Sequence, residues 1–349
     1  MYEKQKISKI IKNYDLNNLS IATVCSHSSL QIFDGARKEG LKTIGICVGS
    51  PPKFYDAFPK AKPDEYIVVE SYKDIPKITD ELISKNAIII PHGSFVEYLG
   101  ADNFANLQVP TFGNRAVLSW ESDREKERTW LESAGVSMPK EINPEEISSP
   151  SIVKYHGAKG GMGFFIVDSY EEFKKKINPN EKYTIQEFIT GTRFYLHYFY
   201  SPIKNDGYAL SKGTLEMLGM DKRIESNIDE LYRVPDCNID PTFTVTGNLP
   251  LVARESLLPK IFQLGEQVVE KSIELFGGMV GAFCLETIFT DKLEIKVFEI
   301  SARIVAGTNI YPSGSPYSDF IEENLSTGRR IAKEINLAKS IDKMDEIIS

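Results

Sequence analysis

The chain contains few residues of the kinds that cross-link a small protein through disulfides or metals, or that anchor it in a membrane. It has four cysteines with no CxxC pair, and four histidines without zinc-ligand spacing. Its longest apolar runs fall well short of the roughly 20 residues that a membrane helix needs, and the charged N-terminus has no signal-peptide stretch. These absences argue against a disulfide framework, a zinc module and a membrane span. They predict a cytoplasmic protein with free, buried thiols.

Charge and length narrow the class further. Lys and Arg number 41 against 49 Asp and Glu, which gives a formal net charge of −8. This excess of acid argues against broad nucleic-acid binding, but it allows a local basic pocket for one small phosphorylated molecule. The 349 residues predict two domains with ordinary globular cores.

The first part of the chain alternates strand and helix patterns. Short apolar runs predict strands at residues 20–24, 43–48, 66–69, 87–91 and 109–112. Helices are predicted at 28–39, where Gly40 ends the helix, and at 75–85. This alternation predicts a doubly wound parallel sheet, in which ligands bind at the carboxyl ends of the strands.

The second part has a different texture. A charged helical stretch at 121–134 and a proline-containing connector at 138–150 place the domain boundary near Glu121, which predicts domains of residues 1–120 and 121–349. Beyond the connector, β-branched and aromatic residues predict strands at 152–155, 164–167, 183–188, 193–200, 280–288 and 293–300. Helices are predicted at 255–276 and 329–338, so this part is α+β.

A glycine-rich loop follows a strand lysine. Residues 154–165 read KYHGAKGGMGFF and include Lys154, Lys159, Gly160 and Gly161. Glycines let backbone N–H groups approach phosphate oxygens closely, and the two lysines could add positive charge. A plain glycine-rich hairpin turn would give the same pattern. The loop is not a P-loop, because GK[ST] and a following helix are both missing.

Two acids lie on the arms of a predicted hairpin near the C-terminal end. If the connecting loop has an even number of residues, Glu286 and Glu299 face the same side, whereas a bulged, odd-length loop would separate them. Two carboxylates among apolar neighbours repel each other unless a cation lies between them, and Mg²⁺ binds in this way together with substrate phosphates. Separate lysine partners are the alternative interpretation.

Two Ser/His clusters are expected at one edge of the first sheet. His27 lies between Ser26 and Ser28 where the first strand meets the first helix, and His92 and Ser94 follow another strand. Strand–helix junctions favour anions, so the two clusters predict a shared ligand. Taken alone, Ser28 could equally be a helix N-cap and His27 a loop histidine.

Basic residues for a phosphate pocket are spread along the second part. Arg303 is the first choice, because it would share a strand end and a face with Glu299 if that strand continued. A further segment, QEFITG at 186–191, could place Glu187 on a ribose and its backbone against an adenine, although a surface strand would look alike. The basic candidates are Arg193, His197, Lys222, Arg223, Arg254 and Arg303.

The strand lysine, glycine loop, Glu187 and acid pair, in this order, resemble the ATP-grasp superfamily. Motifs along the whole chain narrow the match: SHSSL at 26–30, PHGSF at 91–95, GNR at 113–115, GMDKR at 219–223, TGN at 246–248, RESLLP at 254–259 and SAR at 301–303. They resemble the PurP family, the formate-dependent 5-formaminoimidazole-4-carboxamide ribonucleotide synthetases, over nearly all of the sequence.

The resemblance implies a pre-ATP-grasp parallel α/β domain followed by an ATP-grasp domain. It also implies an enzyme that uses ATP and formate, with Mg²⁺ or Mn²⁺, to formylate the amine of aminoimidazole carboxamide ribonucleotide (AICAR) through formyl phosphate. No nucleic acid or membrane partner is expected, and the chain would form a homo-oligomer, for which the resemblance suggests a hexamer. A ligase that joins another small acid to another amine, and a non-catalytic nucleotide sensor, stay open as alternatives.

The resemblance also assigns residues. AICAR binding would fall on His27, Ser94 and Asn248, the metal on Glu286 and Glu299, and catalysis on Arg303 and Lys154. ATP binding would fall on Lys154, Lys159, Gly160, Gly161, Gln186, Glu187 and Ile189. In the wider superfamily the final motif is E-x-N-x-R, but Ser301 stands at the Asn position here, so the third metal ligand would be water or Asn309.

Overall fold

The computed structural model describes residues 2–156, 163–225, 244–305 and 313–349. The helices are α1 Tyr2–Lys12, α2 Ser29–Lys38, α3 Thr79–Ser84, α4 Gly93–Leu99, α5 Ala101–Ala105, α6 Ala116–Glu121, α7 Arg124–Ser133, α8 Tyr170–Lys176, α9 Leu258–Phe276, α10 Thr327–Ser340 and α11 Met344–Ile347. The strands are β1 Ser20–Val24, β2 Lys42–Val48, β3 Glu65–Val69, β4 Ala87–Ile89, β5 Ser151–Tyr155, β6 Phe164–Val167, β7 Tyr183–Glu187, β8 Thr192–Ser201, β9 Tyr208–Ala209, β10 Thr214–Glu225, β11 Val245–Pro250, β12 Gly281–Phe289 and β13 Ile295–Ser301.

The first sheet is parallel and has helices on both faces. Its strand order is β3-β2-β1-β4, and β1 is buried along its whole length. Because side chains alternate along a strand, Ala22 and Val24 enter the core beneath α4 and α7, whereas Ile21 enters a second core with α1, α2 and α10. The predicted doubly wound architecture is therefore confirmed.

Two local predictions in this region are wrong, and a third has different bounds. The helix predicted at 75–85 is a 3₁₀ segment, Tyr72–Ile78, followed by the short α3, because Pro76 removes a backbone donor. The strand predicted at 109–112 is reduced to two isolated bridges, one between Thr111 and Ile89 and one between Phe112 and Ile348. The helix predicted at 121–134 is α7 and begins three residues later, at Arg124, because the Asp123 side chain caps it by accepting the backbone N–H of Glu125 at 3.0 Å.

Two antiparallel sheets make up the second part. A three-stranded sheet has the order β6-β5-β7, and a larger sheet has the order β11-β10-β8-β12-β13, with β9 added on β10. One face of the large sheet is apolar and packs on α9, where the Tyr198 hydroxyl donates to the Ile261 carbonyl at 2.8 Å. The strand predicted at 193–200 is thus confirmed as β8, and its aromatic residues belong to a core strand.

Three strands of the large sheet, β9, β10 and β11, were not predicted. Strand β10 contains Gly219, Asp221 and Lys222, which are poor strand formers, yet it is paired on both sides by β8 and β11. Tertiary pairing overrides local preference here, and it brings the GMDKR motif into the large sheet.

The C-terminal helix α10 returns to the first sheet and packs on α2. The contact is so close that a Cβ on Gly328 would lie 2.2 Å from the Gln31 carbonyl oxygen, and one on Gly35 would lie 2.2 Å from the Arg329 nitrogen. A buried ion network adds a second tie, because Arg330 contacts Glu216 of β10 at 2.5 Å and Glu334 at 2.8 Å. Helix α10 therefore connects the first sheet to the large sheet.

The predicted free thiols are confirmed where the chain is described. Cys25, Cys47 and Cys284 are free and buried, while Cys237 lies outside the described residues. In the same part of the chain, no helix has the length and apolar character needed to cross a bilayer.

Candidate active site

The second face of the large sheet is lined by polar side chains. Register places Glu286 directly opposite Tyr195, and Asp221 opposite Tyr195 from the other side, so these three residues share one face. Paired residues of an antiparallel sheet point to the same side, while their neighbours enter the apolar core on α9. The polar face is therefore a floor of charged and hydrogen-bonding groups backed by a rigid apolar layer.

The predicted acid pair lies on this floor. Glu286 and Glu299 are direct cross-strand partners. The tip of the hairpin, where Phe289 pairs with Ile295, has an odd loop that would have matched Glu286 with Phe298. A β-bulge shifts the register by one residue between Glu286 and Thr287 and restores the match with Glu299. The two carboxylates consequently face the same side.

The electrostatics of the pair favour a cation. Burial by surrounding protein atoms, and then repulsion from Glu286, raise the pKa of Glu299 to about 7. The Glu299 side chain still reaches solvent, so it lines an open cleft. Arg223 stands 3.5 Å from one Glu286 oxygen and rests on the Tyr195 ring at 3.6 Å. Glu299 forms no ion pair with any of the described residues.

A pair of carboxylates in this arrangement fits a divalent cation that is also held by phosphates and water. Across the described residues, no cluster of three or more His, Cys, Asp or Glu has the geometry of a metal site. Ser301 lies two residue pairs along the ribbon from Glu299, opposite Cys284. Asn309 is outside the described residues.

Lys154 approaches the acid pair from the three-stranded sheet. Its ammonium group donates to Gln186 Oε1 at 3.1 Å and lies 5.9 Å from the centre of the Phe298 ring. Burial lowers the pKa of Lys154, and the charge of Glu299 opposes that shift. Lys154 and Gln186 therefore stand together across the cleft from Glu299.

The remaining residues expected to bind ATP are partly accounted for. Glu187 accepts the backbone N–H of Lys140 at 3.0 Å through one carboxylate oxygen, and Ile189 is half-buried. Lys159, Gly160 and Gly161 lie outside the described residues. Of this set, the structure brings Lys154, Gln186 and Glu187 to one sheet.

The two Ser/His clusters converge as the strand order predicts. The backbone N–H of Ser94 donates to His27 Nε2 at 2.9 Å, and His27 Nδ1 lies 2.9 Å from the Ser28 hydroxyl. Because Nε2 accepts, Nδ1 carries the proton. Burial, followed by the nearby charge of Arg303, lowers the pKa of His27 to about 4. Ser28 makes no side-chain cap on α2, so its hydroxyl serves the cluster instead.

Arg303 lies between the two groups of residues. The strand ends at Ser301, so the condition for placing Arg303 on the face of Glu299 by parity is not met. Its guanidinium pairs with Glu121 at 2.5 Å, and its charge acts on His27 and on the buried His92. Residue Ile304 then bridges to His92, which joins the end of β13 to the first sheet.

The other basic candidates have different surroundings. Arg193 pairs with Glu225 at 3.0 Å and His197 with Asp221 at 2.7 Å, both on the polar floor. Asn248 of β11 is the cross-strand partner of Arg223 and so belongs to the same floor. Lys222 and Arg254 are exposed.

Two acids of the site escaped the sequence argument. Glu121 and Glu127 come from α6 and α7, and each accepts a backbone N–H of the β13 segment: Ala302 at 3.1 Å and Ile300 at 2.8 Å. Burial raises the pKa of Glu127 well above its usual range, with repulsion from Glu299 as the second cause. In the sequence these acids sit in a highly charged stretch that resembles an exposed helix face, so no local signal separates them.

Two family models match successive parts of the chain. A family described as "Protein of unknown function (DUF1246)" matches residues 21–142. A second, described as "Domain of unknown function (DUF1297)", matches residues 171–349. Together they cover both the first sheet and the large sheet.

Among curated proteins, a 5-formaminoimidazole-4-carboxamide-1-(beta)-D-ribofuranosyl 5'-monophosphate synthetase of Methanococcoides burtonii is 73% identical over the full length of both chains. Among solved structures, an IMP biosynthesis protein PurP from Thermococcus kodakaraensis is 32% identical, with a TM-score of 0.76, covering 94% of this chain and 100% of that one. An N5-carboxyaminoimidazole synthetase from Staphylococcus aureus complexed with ADP has a TM-score of 0.60 at 15% identity, over 89% of this chain and 77% of that one. This last likeness bears on the fold alone, which is that of the ATP-grasp ligases.

Proposed function

The chain belongs to the family of 5-formaminoimidazole-4-carboxamide-1-(beta)-D-ribofuranosyl 5'-monophosphate synthetases, and we propose that its cleft formylates AICAR with ATP and formate. The product is the formamide FAICAR, with ADP and phosphate released, as a step toward IMP. The chain is an ATP-dependent ligase. The observation that carries the proposal is the cross-strand pairing of Glu286 with Glu299 on a polar sheet face opposite Lys154.

The acid pair would hold Mg²⁺ or Mn²⁺. Burial, and then repulsion from Glu286, raise the pKa of Glu299, and a divalent ion relieves that repulsion. When bound, such an ion neutralises charge on the ATP phosphates. Arg223, packed on Tyr195 beside Glu286, would hold the Glu286 carboxylate in place.

ATP would lie between the three-stranded sheet and the polar floor. Lys154 points its ammonium group at the same side as Glu299 and is held by Gln186, so it would contact phosphate oxygens. Glu187 keeps one carboxylate oxygen beyond its bond to Lys140, which would accept from a ribose hydroxyl. Lys159, Gly160, Gly161 and Ile189 are proposed to complete the ATP site on the strength of the family pattern.

AICAR would bind where the two Ser/His clusters meet. His27 couples the Ser28 and Ser94 loops through both ring nitrogens, and this junction of strand ends favours a phosphate or a polar carboxamide. Asn248 would contact the same ribonucleotide from the floor. Arg303, between this edge and the acid pair, would contact both reacting partners.

The chemistry has two balanced steps. A carboxylate oxygen of formate attacks the γ-phosphorus of ATP, the bond from that phosphorus to the β–γ bridging oxygen breaks, and ADP leaves. The AICAR amine nitrogen then attacks the formyl carbon, the bond from that carbon to the phosphate oxygen breaks, and the amine proton goes to the departing phosphate. Lys154 and Arg303 stabilise the charge of both steps, which depend mainly on positioning.

A labelling assay tests the proposal. Protein, Mg–ATP, AICAR and ¹⁸O-formate are mixed, and ADP, FAICAR and the isotope content of the phosphate are followed. We expect ADP release only with formate. We also expect one formate-derived ¹⁸O in each phosphate, because the formate oxygen that attacked the phosphorus stays with the phosphate when the carbon–oxygen bond breaks. Omission of formate is the control.

Two outcomes would contradict the proposal. ADP release with another small carboxylate but not with formate would identify a different ligase on this scaffold. Binding of ATP and AICAR without turnover would identify a nucleotide sensor. The domain division at residue 120, drawn from the change of pattern along the sequence, and a homo-oligomeric assembly, drawn from the family resemblance, are further proposals. Light scattering tests the assembly.

A further inference from the structure

The edge strand of the large sheet is braced by groups that are not strands. Strand β13 pairs with β12 on one side only, which leaves N–H groups on its other edge. These groups donate to the Ser137 carbonyl from Val297 at 2.8 Å, to Glu127 from Ile300 at 2.8 Å and to Glu121 from Ala302 at 3.1 Å. The segment that carries Glu299 and Arg303 is therefore held by the helix pair α6–α7.

Glu121 differs from the other braces because it makes two kinds of contact. One carboxylate oxygen accepts the Ala302 N–H, and the other pairs with Nη2 of Arg303 at 2.5 Å. The Glu121 side chain keeps only 9% of its surface exposed. Burying a charged carboxylate costs desolvation free energy, and the contacts with the guanidinium and the amide offset that cost.

Arg303 has a donor left over. Within the described chain, its Nε is buried and has no hydrogen-bond partner. Its charge reaches His27 and His92 at the proposed AICAR edge. Because Glu121 engages Nη2, the guanidinium plane is fixed, and a substrate can reach the 18% of the Arg303 side chain that stays exposed.

We propose that Glu121 is a positioning residue of the reaction, which acts by orienting Arg303 toward AICAR and the acyl group. The inference rests on the proposed function, since it takes Arg303 as a substrate contact. A positioning role differs from a purely structural one in a single respect. For positioning, activity requires the ionic contact of Glu121 with Arg303 and not only its hydrogen bond to the Ala302 backbone.

A double-mutant cycle tests this role. The variants are Glu121→Gln, Arg303→Lys and the double variant, and the matched control is Glu125→Gln, an exposed acid at the start of α7. A glutamine can still accept the Ala302 N–H, so a structural brace would survive the first substitution. We expect Glu121→Gln to lower kcat/KM for AICAR by about 10- to 100-fold, as loss of a supporting contact does elsewhere, with ATP KM and the melting temperature nearly unchanged.

The coupling between the effects of the Glu121 and Arg303 substitutions decides whether Glu121 acts through Arg303. If Glu121 acts through Arg303, the double variant equals Arg303→Lys within about twofold. Losses that multiply, or a Glu121→Gln variant as active as Glu125→Gln, would overturn the inference.

The same cycle is also measured on the AICAR Kd, by calorimetry without formate. Wild-type protein that binds AICAR but does not turn over formate would sink the proposed function, and the Kd cycle would still decide the role of Glu121. Failure to bind AICAR would overturn both.

Discussion

His27 shows how a single side chain can join two loops. The sequence placed it beside a serine at a strand end, and the strand order brought Ser94 to the same edge, so the cluster itself was predictable. Its hydrogen bonds were not predictable, because they depend on a ring rotation that sequence does not encode. In the structure the neutral imidazole accepts from Ser94 and faces the Ser28 hydroxyl. The residue thus organises the edge as much as it offers a contact to substrate.

Replacing this side chain should affect one substrate and not the other. For His27→Ala we expect a rise of about tenfold or more in the AICAR KM, because loss of one such bond costs about 1.4 kcal/mol or more. The ATP KM should change little, since Lys154 and the acid pair are untouched. Steady-state kinetics with each substrate varied in turn measures both values. Equal effects on the two KM values would remove His27 from the AICAR site.

At the scale of elements, register decides the site. The presence of two strands around Glu286 and Glu299 was predictable from their apolar neighbours, but their common face was not. The hairpin loop alone would have separated the acids, and a bulge at Phe298 brings them back together. A bulge has no sequence signature as clear as hydrophobic alternation, so sequence reasoning could only state the two outcomes.

Helix breaks matter for the same reason. The helix predicted at 121–134 begins only at Arg124, after the Asp123 cap, and the break between α6 and α7 places Glu121 and Glu127 at the edge of β13. The capping residue was visible in the sequence. The target of the two acids was not, because it lies more than 170 residues away along the chain.

Helix packing at the C-terminal end gives an element-scale prediction. Gly328→Ala would place a Cβ 2.2 Å from the Gln31 carbonyl oxygen, so α10 must shift away from α2. We expect a loss of about 1–3 kcal/mol in the free energy of unfolding, as overpacking of a tight contact causes. Denaturant unfolding measures it, and Ser340→Ala near the end of the same helix is the control. Stability equal to wild type in Gly328→Ala would contradict the packing described here.

At the scale of the whole molecule, three sheets supply one cleft. The parallel sheet brings the Ser/His edge, the three-stranded sheet brings Lys154, and the large sheet brings the acid pair. Helix α10 ties the first of these to the third through the Arg330 network. The fold class and the order of motifs were predictable from the sequence, because hydrophobic patterning and family resemblance are both read from residues in chain order. The bracing by Glu121 needed coordinates, because it joins distant segments.

The central claim is that Glu286 and Glu299 together hold a divalent cation against the phosphates of ATP. Titration of Mn²⁺ into the protein with ADP, followed by electron paramagnetic resonance, tests it most directly, with Glu299→Gln as the comparison. We predict that wild-type protein with ADP takes up one Mn²⁺, and that Glu299→Gln stays folded, binds the ion at least about tenfold more weakly and releases no ADP from ATP with AICAR and formate. Equal Mn²⁺ affinity and unchanged ADP production in the two proteins would contradict the account.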